Sequence, residues 1–149
     1  MALSRTQETE VESALETAWS YVDDWRNVGD WLVGVERFAP VGDKDQGLGS
    51  VFDVVVNAGI KVKTRIEVTD YDEGRLIQFD SVKGFKLRNR WRFTPVDDGT
   101  TLITAETELF PPFGPAGKAM AKVLEPAMGK IMERSSARLK GRIEASTVT

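Results

Sequence analysis

The segment from Pro115 to Ala145 limits what this chain can fold into more than any other. Ala116, Met120, Leu124, Met128, Ile131, Met132 and Leu139 recur mostly three or four residues apart, which lays them along one side of a helix. Lys118, Lys122, Lys130, Glu133, Arg138 and Lys140 fall largely elsewhere. Pro115 suits a first turn, where its missing N–H costs no hydrogen bond. Pro126 cannot donate to the Lys122 carbonyl and Gly129 follows, so a bend is expected near Glu125. A long helix with one apolar stripe needs a broad, flat partner. The natural cover is a curved antiparallel sheet.

The upstream sequence supplies its strands. Leu3 to Glu12 reads as an edge strand. Ser13, with Glu16 three residues on, has capping-box spacing and predicts a helix bearing Ala14, Leu15, Ala18, Trp19 and Val22. A second short helix is expected from about Asp24 to Leu32, carrying Trp25, Val28 and Trp31. Val35 to Val41 is a strand, ended by the turn-rich stretch 42–49. Hairpins follow: 51–56, 60–71, 75–82, 85–95 and 101–109, separated by Asn57-Ala58-Gly59, Asp72-Glu73-Gly74, Lys83-Gly84 and Asp97-Asp98-Gly99. The clearest period of two sets Phe85, Leu87, Asn89, Trp91 and Phe93 against Lys86, Arg88, Arg90 and Arg92. The expectation is a single α+β domain over residues 1–149, with roughly seven curved antiparallel strands wrapped around the C-terminal helix and two short helices after the first strand.

The helical stretch 14–24 followed by Trp31, the strand Gly49-Ser-Val-Phe-Asp-Val54, the turn Val68-Thr-Asp-Tyr-Asp-Glu-Gly-Arg75 and Trp91-Arg-Phe-Thr-Pro-Val-Asp-Asp-Gly-Thr100 carry a resemblance. The chain resembles the polyketide cyclase/dehydrase and START-like lipid-transfer (SRPBCC) superfamily, over nearly its whole length. That resemblance implies the helix-grip fold. It also implies either a carrier of hydrophobic molecules or a cyclase or dehydratase that uses inward His, Arg or acidic groups. The motifs are structural and do not select a reaction.

Composition removes several chemistries. Cysteine and histidine are both absent, which excludes disulfides, thiol nucleophiles, thiolate metal sites and the commonest general base. No metal and no cofactor are expected. With 20 basic and 23 acidic residues the net charge is −3, and no nucleic-acid partner is expected. The arginine strand is expected to pair with Gln78, Asp80, Thr104, Glu106 and Glu108 on its neighbours. No apolar run reaches the 18 or so residues of a membrane span and no signal peptide opens the chain, so the expectation is a cytoplasmic protein without stable membrane insertion. A monomer or weak homodimer is expected.

The inward face is where function should lie. It carries Phe52, Phe79, Trp91 and Phe93, but also Thr64, Ser81, Asn89 and Thr107, which a plain core would replace with aliphatic residues. Asn89 is the most informative, because a mid-strand Asn has low strand propensity and four hydrogen-bonding sites to satisfy. The candidate ligand site adds Trp25 and Trp31 from the short helix and Met120, Leu124 and Met128 from the long one. Its expected size is about 300 Å³ or more. Alternation of hairpin ends places 57–59, 83–84 and the loop 110–115 together, so Phe85, Phe110 and Phe113 are expected to gate access, with Lys61, Lys83, Lys86 and Lys118 nearby. The expected function is binding or carriage of a hydrophobic small molecule such as a lipid, isoprenoid or polyketide-like aromatic. The alternatives are a polyketide cyclase or dehydratase, for which no inward acid or base is apparent, and a ligand-free accessory module. No catalytic residue is assigned.

Overall fold

A computed structural model describes residues 2–147. In chain order the elements are β1 Leu3–Val11, α1 Leu15–Asp23, a 3₁₀ turn Trp25–Asn27, α2 Val28–Trp31, β2 Val35–Pro40, β3 Val51–Asn57, β4 Lys61–Asp72, β5 Leu76–Gly84, β6 Lys86–Asp97, β7 Thr100–Phe110 and α3 Pro115–Thr147. The strands form one seven-stranded sheet, ordered β1-β7-β6-β5-β4-β3-β2, with every pair antiparallel. β2 to β7 is a meander. β1 completes the sheet by pairing with the last strand, Leu3 opposite Leu109 and Val11 opposite Thr101.

Two local expectations change. Ser13 is not the helix cap. Ala14 holds that position without a side-chain hydrogen bond, because Ser13 is drawn into the interior, 1% exposed, where its carbonyl accepts from the Thr101 hydroxyl at 2.8 Å. The second helix is broken into a 3₁₀ turn and a single α-turn. Asp24 caps the first, accepting from the Arg26 N–H at 3.0 Å, and Gly29 inside the second weakens continuous helix.

Strand β5 also runs further than its turn signal implies. A bulge at Val82 lets Lys83 and Gly84 keep pairing with Arg65 and Thr64, so the chain reverses at Phe85. Gly84 has φ +81°, and a Cβ there would lie 2.6 Å from the Lys63 carbonyl oxygen. Only glycine fits.

Helix α3 passes through Pro126 as one element. Beside Gly129 lies the Arg5 guanidinium of β1, which a Cβ there would approach to 2.8 Å. Under α3 the buried apolar residues form two clusters. One joins Val11, Trp19, Trp31, Phe52, Ile77, Phe93, Leu139 and Ile143. The other joins Leu3, Ala58, Val62, Leu109, Ala121, Leu124 and Met128 beneath the first half of α3.

Candidate functional site

Residues of both clusters border a cavity of about 230 Å³. That is smaller than the sequence suggests, and below the roughly 300–1,000 Å³ of drug-sized sites. The large aromatic rings take up the difference: Trp31 lies edge-on to Trp91 at 5.3 Å, Phe52 to Phe79 at 6.4 Å, and Phe38 packs on Phe52 at 5.0 Å.

Strand register builds the floor. Phe79, Asn89 and Thr107 stand side by side across β5, β6 and β7, and Ile77, Trp91 and Ala105 form the next row. All six line the cavity, as do Phe52, Thr64, Trp25 and Trp31, with Leu124 and Met128 opposite on α3. Three expected residues do not. Ser81 sits beside the bulge and its hydroxyl accepts from the Leu87 N–H at 3.0 Å. Phe93 is spent edge-on against Trp19 at 5.1 Å. Met120 packs within the second cluster. The expected gate is also absent from the wall: Phe110 and Phe113 project outward, 37% and 94% exposed, and Phe85 packs against the second cluster.

The polar groups of the wall are mostly engaged with each other. Asn89 Oδ1 accepts from the Trp91 indole N–H. Asn89 Nδ2 donates to Thr107 Oγ1 at 2.8 Å and weakly to the Glu106 carbonyl at 3.4 Å. Thr64 donates to the Phe85 carbonyl at 2.8 Å. Asn89 therefore faces the cavity but is a link in a chain, Trp91 to Asn89 to Thr107. The chain ends on the Thr107 hydroxyl, whose own proton has no acceptor among the described residues. Trp31 Nε1 is buried and likewise lacks a partner among them.

A second polar group lies at the other end of the wall. Asp23 Oδ2 accepts from the Tyr71 hydroxyl at 2.9 Å and from Gln46 Nε2 at 2.6 Å, while Trp25 Nε1 donates to Asp45 Oδ2 at 3.0 Å. Asp23, Trp25, Asp45, Gln46 and Tyr71 all border the cavity. Burial raises the Asp23 carboxyl above the usual carboxylate range, against the lowering effect of its two hydrogen bonds. Burial, and then the bond to Asp23, push the Tyr71 hydroxyl upward. The expectation of no inward acid is thus corrected. The sequence does carry a signal for it: Asp23 is four residues beyond Trp19, on the apolar side of α1. Ser135 and Ser136 of α3 also reach the wall, and Ser135 Oγ accepts from the Val33 N–H at 3.0 Å. Among the described residues no lysine or arginine lines the cavity, and no cluster of potential metal ligands occurs.

On the convex face the arginines have partners. Arg88 meets Asp80 at 2.8 Å, Arg92 meets Glu106 at 3.6 Å, and Arg90 donates to Gln78 Oε1 at 2.8 Å. Arg65 likewise holds Asp53 at 2.8 Å, so Asp53 stays outside and keeps a lowered carboxyl pKa, first through that hydrogen bond.

A curled seven-stranded sheet gripping a long C-terminal helix, with a cavity between them, is the helix-grip architecture. The chain belongs to the family described as polyketide cyclase/dehydrase and lipid transport, which matches residues 3–144. Among solved structures it is similar to TTHA0849 from Thermus thermophilus, with a TM-score of 0.82 at 20% identity over 97% of this chain and 99% of that one. A START superfamily protein from Mycobacterium smegmatis gives 0.76 at 20%, covering 97% and 99%. The Zhui aromatase/cyclase from Streptomyces sp. R1128 gives 0.76 at 14%, covering 99% and 94%. At these identities the likeness is one of fold. No curated protein sequence matches the chain. Among the described residues no helix is long and apolar enough to cross a membrane.

Proposed function

We propose that this domain holds a small, mostly apolar molecule between its sheet and α3. The observation that carries this reading is the cavity itself, an apolar space with two unused hydrogen-bond donors at its wall, the Thr107 hydroxyl and Trp31 Nε1. Trp31 Nε1 is buried, where donors normally find partners, and the Thr107 hydroxyl is half-buried on the wall. A ligand oxygen at the end of the Trp91–Asn89–Thr107 chain would satisfy one of them. Lipids, isoprenoids and polyketide-like aromatics all suit the walls, within the limit set by about 230 Å³.

The experiment is native mass spectrometry of the purified protein for a co-purified small molecule, followed by titration of a neutral fluorescent hydrophobe. Ala105, 5% exposed and on the wall, is the position to fill. Ala105→Phe should abolish uptake if the cavity is the site. Equal uptake by both proteins would place the ligand elsewhere.

One observation favours a cyclization or dehydration reading as well. Asp23 borders the cavity with its carboxyl raised by burial and held by Tyr71, which supports proton exchange with a carbonyl substrate. Asp23→Asn separates the two readings. It should leave ligand affinity within a few-fold, but remove any turnover.

A further inference from the structure

We propose that the end of the domain carrying the 111–114 loop is a docking face for an anionic lipid bilayer. Alternation of hairpin ends gathers three connections there, and the contacts bear this out. Ala58, Phe85, Leu109 and Leu124 pack in one cluster, the Phe85 N–H bonds to the Lys63 carbonyl at 2.9 Å, and Lys86 pairs with Phe110. A Cβ on Gly59 would touch Val123 of α3 at 3.0 Å.

Two independent properties mark this end. The first is apolar. Phe113 is 94% exposed on a loop flanked by Pro111, Pro112 and Pro115, so a large ring is held out in water by a stiff support. Phe110, Val82 and Val123, at the same end of the domain, are also exposed. At 94% exposure, Phe113 adds little to the packing of the fold. The second is charge. Lys83, Lys86, Lys118 and Lys122 are exposed and form no ion pair among the described residues, while Lys61 meets Glu36 at 3.3 Å. Glu125 joins Lys118, Lys122 and Arg5 along an open groove. The chain as a whole is acidic, with a net charge of −3. The reversals at the opposite end carry Asp43, Asp45, Asp72, Glu73, Asp97 and Asp98.

Aromatic insertion ringed by lysines fits a peripheral contact with anionic headgroups. The acidic far end orients the domain, because the same surface field that attracts the lysines repels it. No spanning helix exists among the described residues, so the contact would be superficial and reversible.

The test is flotation with vesicles of phosphatidylcholine alone and of phosphatidylcholine containing phosphatidylserine. Wild type should float only with the second, and salt should release it. Lys86→Gln with Lys118→Gln should lower partitioning about 25-fold, at roughly five-fold per lysine. Phe113→Ser should lower it roughly ten-fold, whereas Lys44→Gln, at the acidic end, should change nothing. Phe113 and the lysines are exposed, so these variants should fold, and circular dichroism checks that they do. Equal binding to both vesicles, indifference to Phe113→Ser, or no flotation at low salt overturns the proposal. So does capture of an acidic carrier protein by the same residues without any vesicle binding.

Discussion

Asn89→Leu probes how the polar chain across the cavity floor is wired. The substitution removes the acceptor of the Trp91 indole N–H and the donor to Thr107 Oγ1. A fully buried orphan costs about 1–3 kcal/mol. Trp91 and Thr107 are only half-buried, so about 1 kcal/mol each is the appropriate scale. Partial burial of the new leucine returns about 1 kcal/mol. The two losses less that gain leave a net cost of about 1 kcal/mol. At roughly 2–4 °C per kcal/mol for a chain of this size, Tm should fall by about 2–4 °C. Urea unfolding followed by tryptophan fluorescence measures the same loss as a shift in midpoint with unchanged slope. Stability that is unchanged or raised would show that the amide is not a structural link, and would return Asn89 to the role of a free ligand anchor.

Other substitutions test other links. Leu124→Ala, at a side chain 1% exposed on the cavity wall, should cost about 3–5 kcal/mol because the space cannot collapse; chemical denaturation measures it, and the variant should admit larger hydrophobes. Gly84→Ala combines φ +81° with a Cβ 2.6 Å from the Lys63 oxygen and should cost about 2 kcal/mol or more, read as a lowered urea midpoint. Thr107→Val should weaken binding of an oxygen-bearing hydrophobe several-fold while leaving a pure hydrocarbon probe unaffected, as compared by fluorescence titration. For Asp23 the folded carboxyl pKa is raised, so its favourable contribution is complete below the unfolded value and is lost as pH rises through the folded one. Asp23→Asn should therefore gain stability relative to wild type as pH rises above the unfolded carboxyl value of about 4; a difference that stays flat as pH rises contradicts the assignment.

The long helix, the meander and the inward face of β6 are legible in the sequence because each rests on periodicity alone. Leu87, Asn89, Trp91 and Phe93 alternate so regularly that their face follows from the pleat. What escapes depends on three-dimensional competition. Ser13 has a capping sequence, but the Thr101 hydroxyl, distant in sequence, takes its carbonyl and the core takes its side chain. Ser81 points inward by parity, yet the bulge beside it presents its hydroxyl to the Leu87 N–H. Parity cannot place a gate at Phe85, Phe110 and Phe113, because it says which end a residue occupies, not whether it turns toward the interior. Asp23 is easily missed because carboxylates ordinarily belong in water, although its spacing from Trp19 puts it on the buried side of α1.

The sheet's order has a consequence for how the chain reaches this state. β1 is synthesised first, but its partner β7 ends at Phe110. At about 5–20 residues per second, Leu3 waits roughly 5–20 s for Leu109 to be made. Every other strand pair closes locally through a hairpin or short loop. The nascent chain therefore holds an unpaired N-terminal strand until β7 is made, and α3, which packs on β1, is made last of all. The cavity wall takes residues from β7 and α3, the last elements to be made, so it is complete only once both are in place.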